Sequence, residues 1–435
     1  MYHFIGIKGA GMSSLAVILK QLGYSVKGSD LDKHFFTEEE LIKNNIEFTP
    51  YNKENITEGL TIIKGLSITD DNIELIEAKR LNLEIIDYNE MVGRLTRKFK
   101  TICICGCHGK TTTTAMIAHT LKELIGINYL IGDGTGYANQ TNEYFALESC
   151  EYRRHFLSYT PYYAVVLNID LDHVDYFKDM QDVIDAYQEY ANKAEKMVIA
   201  CGDDPYTRML DVNKPLFFYG IGEDNDIVAK NVEYTSKGTT FDVFVEENYY
   251  GHFDLPIFGK HMVLNALAVI GLCYYERFDA KEVARNIKSF NGASRRFTEE
   301  FIGSNVIVDD YAHHPQEVKM TIKAAKQKYP DKKIVAVFQP HTFSRTLEFT
   351  DELANVLNNA DATYVLNIFP AREKQEDYPN VKSQNIVDKL NNGSIITDET
   401  WDLLKEYKEN TVVLFMSPKE IHNIMNSYKE YLKEL

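Results

Sequence analysis

Short apolar runs alternate with stretches of helical period along the whole chain. Tyr2–Ile7 reads as a strand, Met12 to Leu22 as a helix, Ser25–Gly28 as a strand and Glu38–Asn44 as a helix, with Thr61–Ile63 and Glu84–Ile86 continuing the strand series. This is the strand-helix-strand opening of a parallel sheet. The basic stretch Arg94–Lys100 reads as a hinge. A second series follows, with strands at Thr101–Cys105, Tyr144–Leu147, Ala164–Asn168, Met197–Ala200 and Thr240–Val245 and helices at Thr111–Leu124, Met180–Lys193 and Met262–Tyr275. A third has strands at Asn305–Asp309, Lys333–Gln339, Ala362–Asn367 and Thr411–Met416, alternating with helices that start near Gln316, Thr346, Ser383 and Lys419.

The pattern predicts three α/β domains: a Rossmann-like one over 1–97, a central P-loop mononucleotide-binding one over 98–294 and a second Rossmann-like one over 295–435. Length agrees, since 435 residues at roughly 150 per domain give about three. The 44% hydrophobic content supplies a core for each. A net charge of −17 argues against a broad basic face for nucleic acid, so any phosphate ligand must be held locally. Neither a secretory leader nor a membrane-length apolar run is visible. Six cysteines, unevenly placed, do not form a disulfide framework; a cytoplasmic protein is expected. The sequence does not set an oligomeric state.

Two glycine turns carry candidate chemistry. Gly6-Ile7-Lys8-Gly9-Ala10-Gly11 follows a strand and opens a helix, where backbone amides and the helix dipole can hold a diphosphate. Asp30 at the end of the next strand would suit a ribose hydroxyl, but the glycine spacing departs from the dinucleotide fingerprint, which weakens a nicotinamide oxidoreductase reading. A tight turn without a ligand is the plain alternative. Gly106-Cys107-His108-Gly109-Lys110-Thr111-Thr112 has the form of a shortened phosphate loop: amides face the phosphates, Lys110 reaches the β/γ oxygens and the Thr111 hydroxyl suits Mg²⁺. Cys103, Cys105 and Cys107 lack zinc-site spacing and read as packing.

Downstream, Glu148 and Asp170-Leu171-Asp172-His173 fall at strand ends, where ligands gather in open α/β sheets. A carboxylate suits Mg²⁺; a histidine by itself suggests a softer metal or a structural role. Gly259-Lys260-His261 with Asn265 opens a helix, and Arg295-Arg296-Phe297 stands at the entrance to the third domain. Asp309 to Pro315 and Gln339 to Arg345 occupy successive strand ends there, as a site or as organised turns.

Together these motifs, in this order and over nearly the whole chain, resemble the Mur ligases. The resemblance implies that the first domain binds the UDP part of a sugar nucleotide through Gly9, Gly11, Met12, Ser13 and Asp30, and the middle domain binds ATP through Gly106 to Thr112. Lys110 would contact the transferring phosphate, Thr111 and Glu148 would hold one Mg²⁺, and His173 would serve a second. His261, Asn265, Arg296 and Asp310 would meet the nucleotide, and His341 and Arg345 would orient substrates from the closing third domain. Lys110, Glu148, His173 and Arg296 are thus the implied catalytic set. The implied reaction joins the carboxylate of UDP-N-acetylmuramate to the amine of L-alanine through an acyl phosphate, in peptidoglycan precursor synthesis. Where relatives carry a carbamylated lysine beside the second metal, Glu189 is the candidate for the same charge. Met262 and Ser417-Pro418-Lys419 depart from the family pattern. The rivals are a relative ligating another amine or a recycled peptide, and a catalytically silent sugar-nucleotide binder.

Overall fold

The computed structural model describes residues 1–435 except Asp175, Ser294, Arg372 and Glu420. Three sheets form. The first holds β1 (Tyr2–Ile5), β2 (Val26–Asp30), β3 (Glu47–Pro50), β4 (Thr61–Lys64) and β5 (Glu84–Asp87), all parallel, in the order β3-β2-β1-β4-β5. Strand order reverses at β1, and the first glycine turn leaves β1 there, at the switch point where such sheets take ligands.

The second sheet has ten strands: β6 (Lys100–Cys105), β7 (Asn128–Leu130), β8 (Gly136–Tyr137), β9 (Tyr144–Glu148), β10 (Tyr163–Val166), β11 (Met197–Cys201), β12 (Leu216–Gly220), β13 (Ile227–Thr235), β14 (Gly238–Val245) and β15 (Asn248–Leu255). β6 lies between β10 and β9, parallel to both, so the loop after β6 is flanked by the carboxylates that end β9 and follow β10. β13 to β15 form an antiparallel extension, of which only part of β14 was legible as alternation.

The third sheet runs β16-β17-β21-β18-β19-β20: β16 (Thr298–Ile302), β17 (Asn305–Asp310), β18 (Lys333–Phe338), β19 (Ala362–Val365), β20 (Gly393–Ile395) and β21 (Thr411–Met416). All pair in parallel except β16 with β17. The carboxyl ends of β17, β21 and β18 therefore adjoin, which brings Asp310, Ser417 and the Gln339 turn side by side.

One expectation needs correction. The stretch Arg94–Lys100 is not a loose hinge: its first residues end the helix Tyr88–Thr96 and its last begins β6. That helix packs against Tyr152–Ser158, Asn89 donates to Ser158 Oγ at 2.9 Å, and one apolar cluster runs from Phe4, Val92 and Leu95 into Cys103, Phe145 and Tyr187. The first two sheets thus share a core, while the third keeps clusters of its own. A Cβ on Gly93 would sit 2.3 Å from the Ser158 carbonyl oxygen, with backbone on both sides and no room to yield. Gly93→Ala should lower unfolding free energy by about 1–3 kcal/mol, the cost of overpacking; an unchanged thermal midpoint would contradict this close contact.

Candidate active site

The loop after β6 is shaped by two glycines with positive φ, 140° at Gly106 and 85° at Gly109. A Cβ on Gly106 would meet Leu167 at 3.0 Å, and one on Gly109 would meet Asn265 Oδ1 at 2.9 Å, so side chains are excluded by space as well as by backbone. Asn168 braces the loop, accepting from His108 N at 2.9 Å and donating to His108 O at 2.9 Å. The helix Lys110–Lys122 then starts with no side-chain cap, leaving amides for an anion. Thr112 is buried just inside it and lines the adjoining cavity. Cys107 is buried too, its thiol donating to Asp170 O at 3.0 Å, and Cys103 and Cys105 are buried as expected.

Lys110 Nζ donates to Gly106 O and pairs with Glu151 at 3.1 Å. Burial opposes its charge, but Glu151 outweighs burial and the ammonium is held above its usual range. Thr111 Oγ1 donates to Glu148 Oε2 at 3.2 Å, and Gly132 N donates to the other oxygen at 2.6 Å. Burial raises the Glu148 carboxyl. A hydroxyl and a carboxylate side by side at a phosphate loop are hard oxygen donors, and this chemistry fits Mg²⁺. On the other flank Glu151, Asp172 and His173 bring candidate ligand atoms within 4.8 Å of one another. His173 has φ 52° and lies on the Tyr152 ring at 4.6 Å between centroids.

Beside the loop, a cavity of about 280 Å³ is lined by His261, Met262, Asn265, Arg296 and Asp310, among others. Burial, reinforced by Arg296, pushes His261 down to about 4, so its ring is neutral. Asp310 accepts from Phe297 N and Ala312 N, each at 2.8 Å, while Arg296 stands 3.5 Å from Glu317. Asp310 thus both organises the turn and walls the cavity. The paired-arginine turn also includes Ser294, which lies outside the described residues.

The third sheet meets this centre through polar groups. His108 Nε2 stands 3.5 Å from Asp170, its Nδ1 3.8 Å from Glu317, and its ring 4.5 Å from that of His314. Burial works against charge on His108, but Asp170 and Glu317 prevail and raise it from 6.5 to about 9. A raised folded value means stability that is whole below pH 6.5 and is lost as pH rises toward about 9. The unfolding midpoint of the nucleotide-free protein should fall across that window, and His108→Gln should flatten the fall. Equal slopes in both proteins would reject the assignment.

Several sequence expectations change here. Arg345 is not open to substrate: its guanidinium pairs with buried Asp172 and lies 2.8 Å from His341 Nδ1. Burial raises the Asp172 carboxyl and Arg345 more than reverses it, holding it well below the carboxylate range. His341 and Arg345 thus latch the third sheet to the second. Asp30 is buried behind the first turn and braces it, accepting from Lys8 N and Leu31 N at 2.7 Å each. Ser13 is buried and bonds back to Ala10 O at 3.0 Å, and Met12 is packed beneath; Gly9 and Gly11 remain at the turn's edge. A Cβ on Gly11 would meet Tyr88 Oη at 2.8 Å and one on Gly136 would meet Ser14 O at 2.6 Å, so the helix that follows the first turn lies against the second sheet. Glu189 is exposed on the helix Met180–Ala191; the buried carboxylate beside Lys110 is Glu151.

Glu151 and Asp172 were read only as members of the carboxylate-rich strand ends near the Lys110 loop, without roles of their own, and Asn168 and Glu317 were not assigned from sequence. Glu317 had a signal: it stands three residues after His314 and closes a capping box with it.

Residues 1–100 match the Mur ligase family, catalytic domain; 104–273 match the Mur ligase middle domain; and 295–418 match the Mur ligase, glutamate ligase domain. The chain belongs to the Mur ligase family of ATP-dependent ligases that build peptidoglycan precursors. It is similar to the UDP-N-acetylmuramate-alanine ligase of Thermotoga maritima, with TM-score 0.80 and 25% identity over 100% of this chain and 99% of that one. The murein peptide ligase of Psychrobacter arcticus shares the fold at TM-score 0.71 and 21% identity, covering 100% and 99%. The MurF ligase of Thermotoga maritima, solved with ADP, does so at 0.64 and 19%, covering 97% and 99%. The three-domain α/β architecture expected from sequence is therefore the family's, and among the described residues no helix is long and apolar enough to cross a membrane.

Proposed function

We propose that the chain joins the carboxylate of UDP-N-acetylmuramate to the amine of L-alanine at the expense of ATP, giving ADP and phosphate. The observation that carries this reading is the convergence at one phosphate loop of Lys110, the Thr111 and Glu148 pair and the Glu151, Asp172 and His173 cluster. Likeness to an alanine-adding enzyme over both full lengths supports the amine. In this reading residues 1–97 hold the UDP-sugar at the Gly9 and Gly11 turn, 98–294 hold ATP, and 295–435 admit the amino acid and close.

Lys110 neutralises the γ-phosphoryl oxygens as the muramate carboxylate attacks, and the capless helix behind it does the same for the β-phosphate. Thr111 and Glu148 would hold one Mg²⁺, with Glu151, Asp172 and His173 holding a second; bound there, the ions would offset charge on the phosphates. The free amine then attacks the acyl carbon of the resulting acyl phosphate, and the tetrahedral intermediate collapses with loss of inorganic phosphate and of the amine's proton to give the amide. Arg296 and Asp310, with His261 and Asn265, wall the adenosine side. Docking of the third sheet excludes water, which would otherwise hydrolyse the acyl phosphate.

A second reading, ligation of a peptide rather than of alanine, has one feature in its favour. Ser417, Pro418 and Lys419 lie at the end of β21, and Lys419 is exposed beside Phe369, 5.0 Å from its ring centre, on the face that carries His341. Phosphate release with ATP, Mg²⁺ and UDP-N-acetylmuramate, across a panel of amines that includes L-alanine and tripeptides, decides between them. Release only with a peptide would transfer the assignment, and no release with any amine would leave a silent binder.

A further inference from the structure

The wall of the centre that faces the first sheet is the turn Tyr152–Ser158, and its backbone is unusual. Arg153 and Arg154 are consecutive non-glycine residues in the left-handed region, with φ 52° and 57°. Such residues resist that conformation, and where it persists it is held by its surroundings and tends to serve a site. Here Arg154 N donates to Glu151 O at 2.8 Å and Phe156 N to Cys150 O at 3.1 Å. The Arg154 guanidinium is spent on Asp182 and lies over the Phe177 ring. Arg154 therefore anchors the turn.

Arg153 is what the turn presents. Its guanidinium is exposed and lies 5.4 Å from the centre of the Tyr152 ring, and that ring rests on His173 of the second carboxylate cluster. At its other end the turn packs on the helix Tyr88–Thr96 that follows β5, where Asn89 donates to Ser158 Oγ at 2.9 Å. The turn that carries Arg153 thus stands between the sheet that faces the sugar nucleotide and the centre where phosphoryl transfer would occur.

Charge balance marks it further. Lys110 is paired with Glu151, Arg154 with Asp182, Arg296 with Glu317 and Arg345 with Asp172. Unlike these four cations, Arg153 has no carboxylate partner among the described residues. An anionic substrate that approaches the Glu148 carboxylate gains from a fixed countercharge beside it. A guanidinium laid on an aromatic face keeps its planar fork free for a carboxylate.

We propose that Arg153 docks the carboxylate of the sugar nucleotide, the group to be activated, and delivers it to the Lys110 side of the cluster; this rests on the ligase reading above. Both UDP-N-acetylmuramate and UDP-N-acetylglucosamine carry the diphosphate, and only the first carries the carboxylate.

Calorimetric titration of the full chain with each sugar nucleotide, with Mg²⁺ and a non-hydrolysable ATP analogue present, separates the cases. Arg153→Gln should weaken UDP-N-acetylmuramate by about tenfold or more, as for loss of a charge-assisted pair, and leave UDP-N-acetylglucosamine unchanged. Arg153→Lys should recover part of the loss. Arg153→Gly, which suits the left-handed backbone, should show the same selective loss, so that misfolding cannot account for it. Equal weakening of both ligands, or no change in either, overturns the proposal with the ligase reading intact. Failure of the unsubstituted protein to bind UDP-N-acetylmuramate overturns both.

Discussion

Lys110→Met is expected to reduce phosphate release by about a thousandfold, the scale on which preorganised charges at a reacting centre act. The same substitution removes the partner of Glu151, which is only 1% exposed, so it should also cost stability. Loss of activity alone would therefore be ambiguous. Adding Glu151→Gln removes the stranded charge: the double variant should regain much of the lost thermal midpoint and none of the turnover. Recovery of turnover in the double variant would mean that Lys110 acts only by neutralising Glu151.

The second large effect concerns the latch between the second and third sheets. Arg345→Met leaves Asp172 buried without its guanidinium, and breaking a buried pair in this way costs about 3–5 kcal/mol. Because the third sheet has its own apolar clusters, that cost should appear as undocking rather than unfolding. Small-angle scattering should show a larger radius of gyration, and turnover should fall by about a hundredfold as geometry is lost. Asp172 is held well below 3.8, so its contribution is full above that value and fades only as pH drops toward the lowered one. The latch should hold through mild acid, in contrast to the His108 contact, which weakens in base. An Arg345→Met protein that stays compact and active would remove the latch from the account.

Much of this was legible from sequence because the decisive signals are local. Gly106 to Thr112, Glu148 and the 170–173 run are short stretches whose spacing survives any placement of the sheets, and all sit at one centre. What was not legible is long-range. Asp30 and Ser13 look like ligand contacts in a motif, and the bonds that tie them to the turn depend on packing that no local pattern encodes. Arg345 and Asp172 are 173 positions apart and were paired by nothing but the docking of two sheets. β13 and β15 leave both faces open over part of their length, at Lys230–Thr235 and Asn248–His252, so alternation there was diluted. Glu189 was chosen by its place relative to the lysine of relatives, and the helix turns it outward.

The shared core of the first two sheets bears on how the chain is made. During synthesis the first sheet is complete once β5 has emerged, but Val92, Leu95 and their neighbours then pack only on first-sheet residues such as Ile63 and Ile86, and their other face waits for β6, β9 and the Tyr187 helix. The nascent chain must carry an uncovered apolar face across that interval, which is where a chaperone would find it. The third sheet needs no such protection, since it matures on cores of its own. A ribosome stalled after residue 97 should therefore hold a sticky, protease-sensitive chain, and one stalled after the second sheet should release a compact body that lacks only its latch.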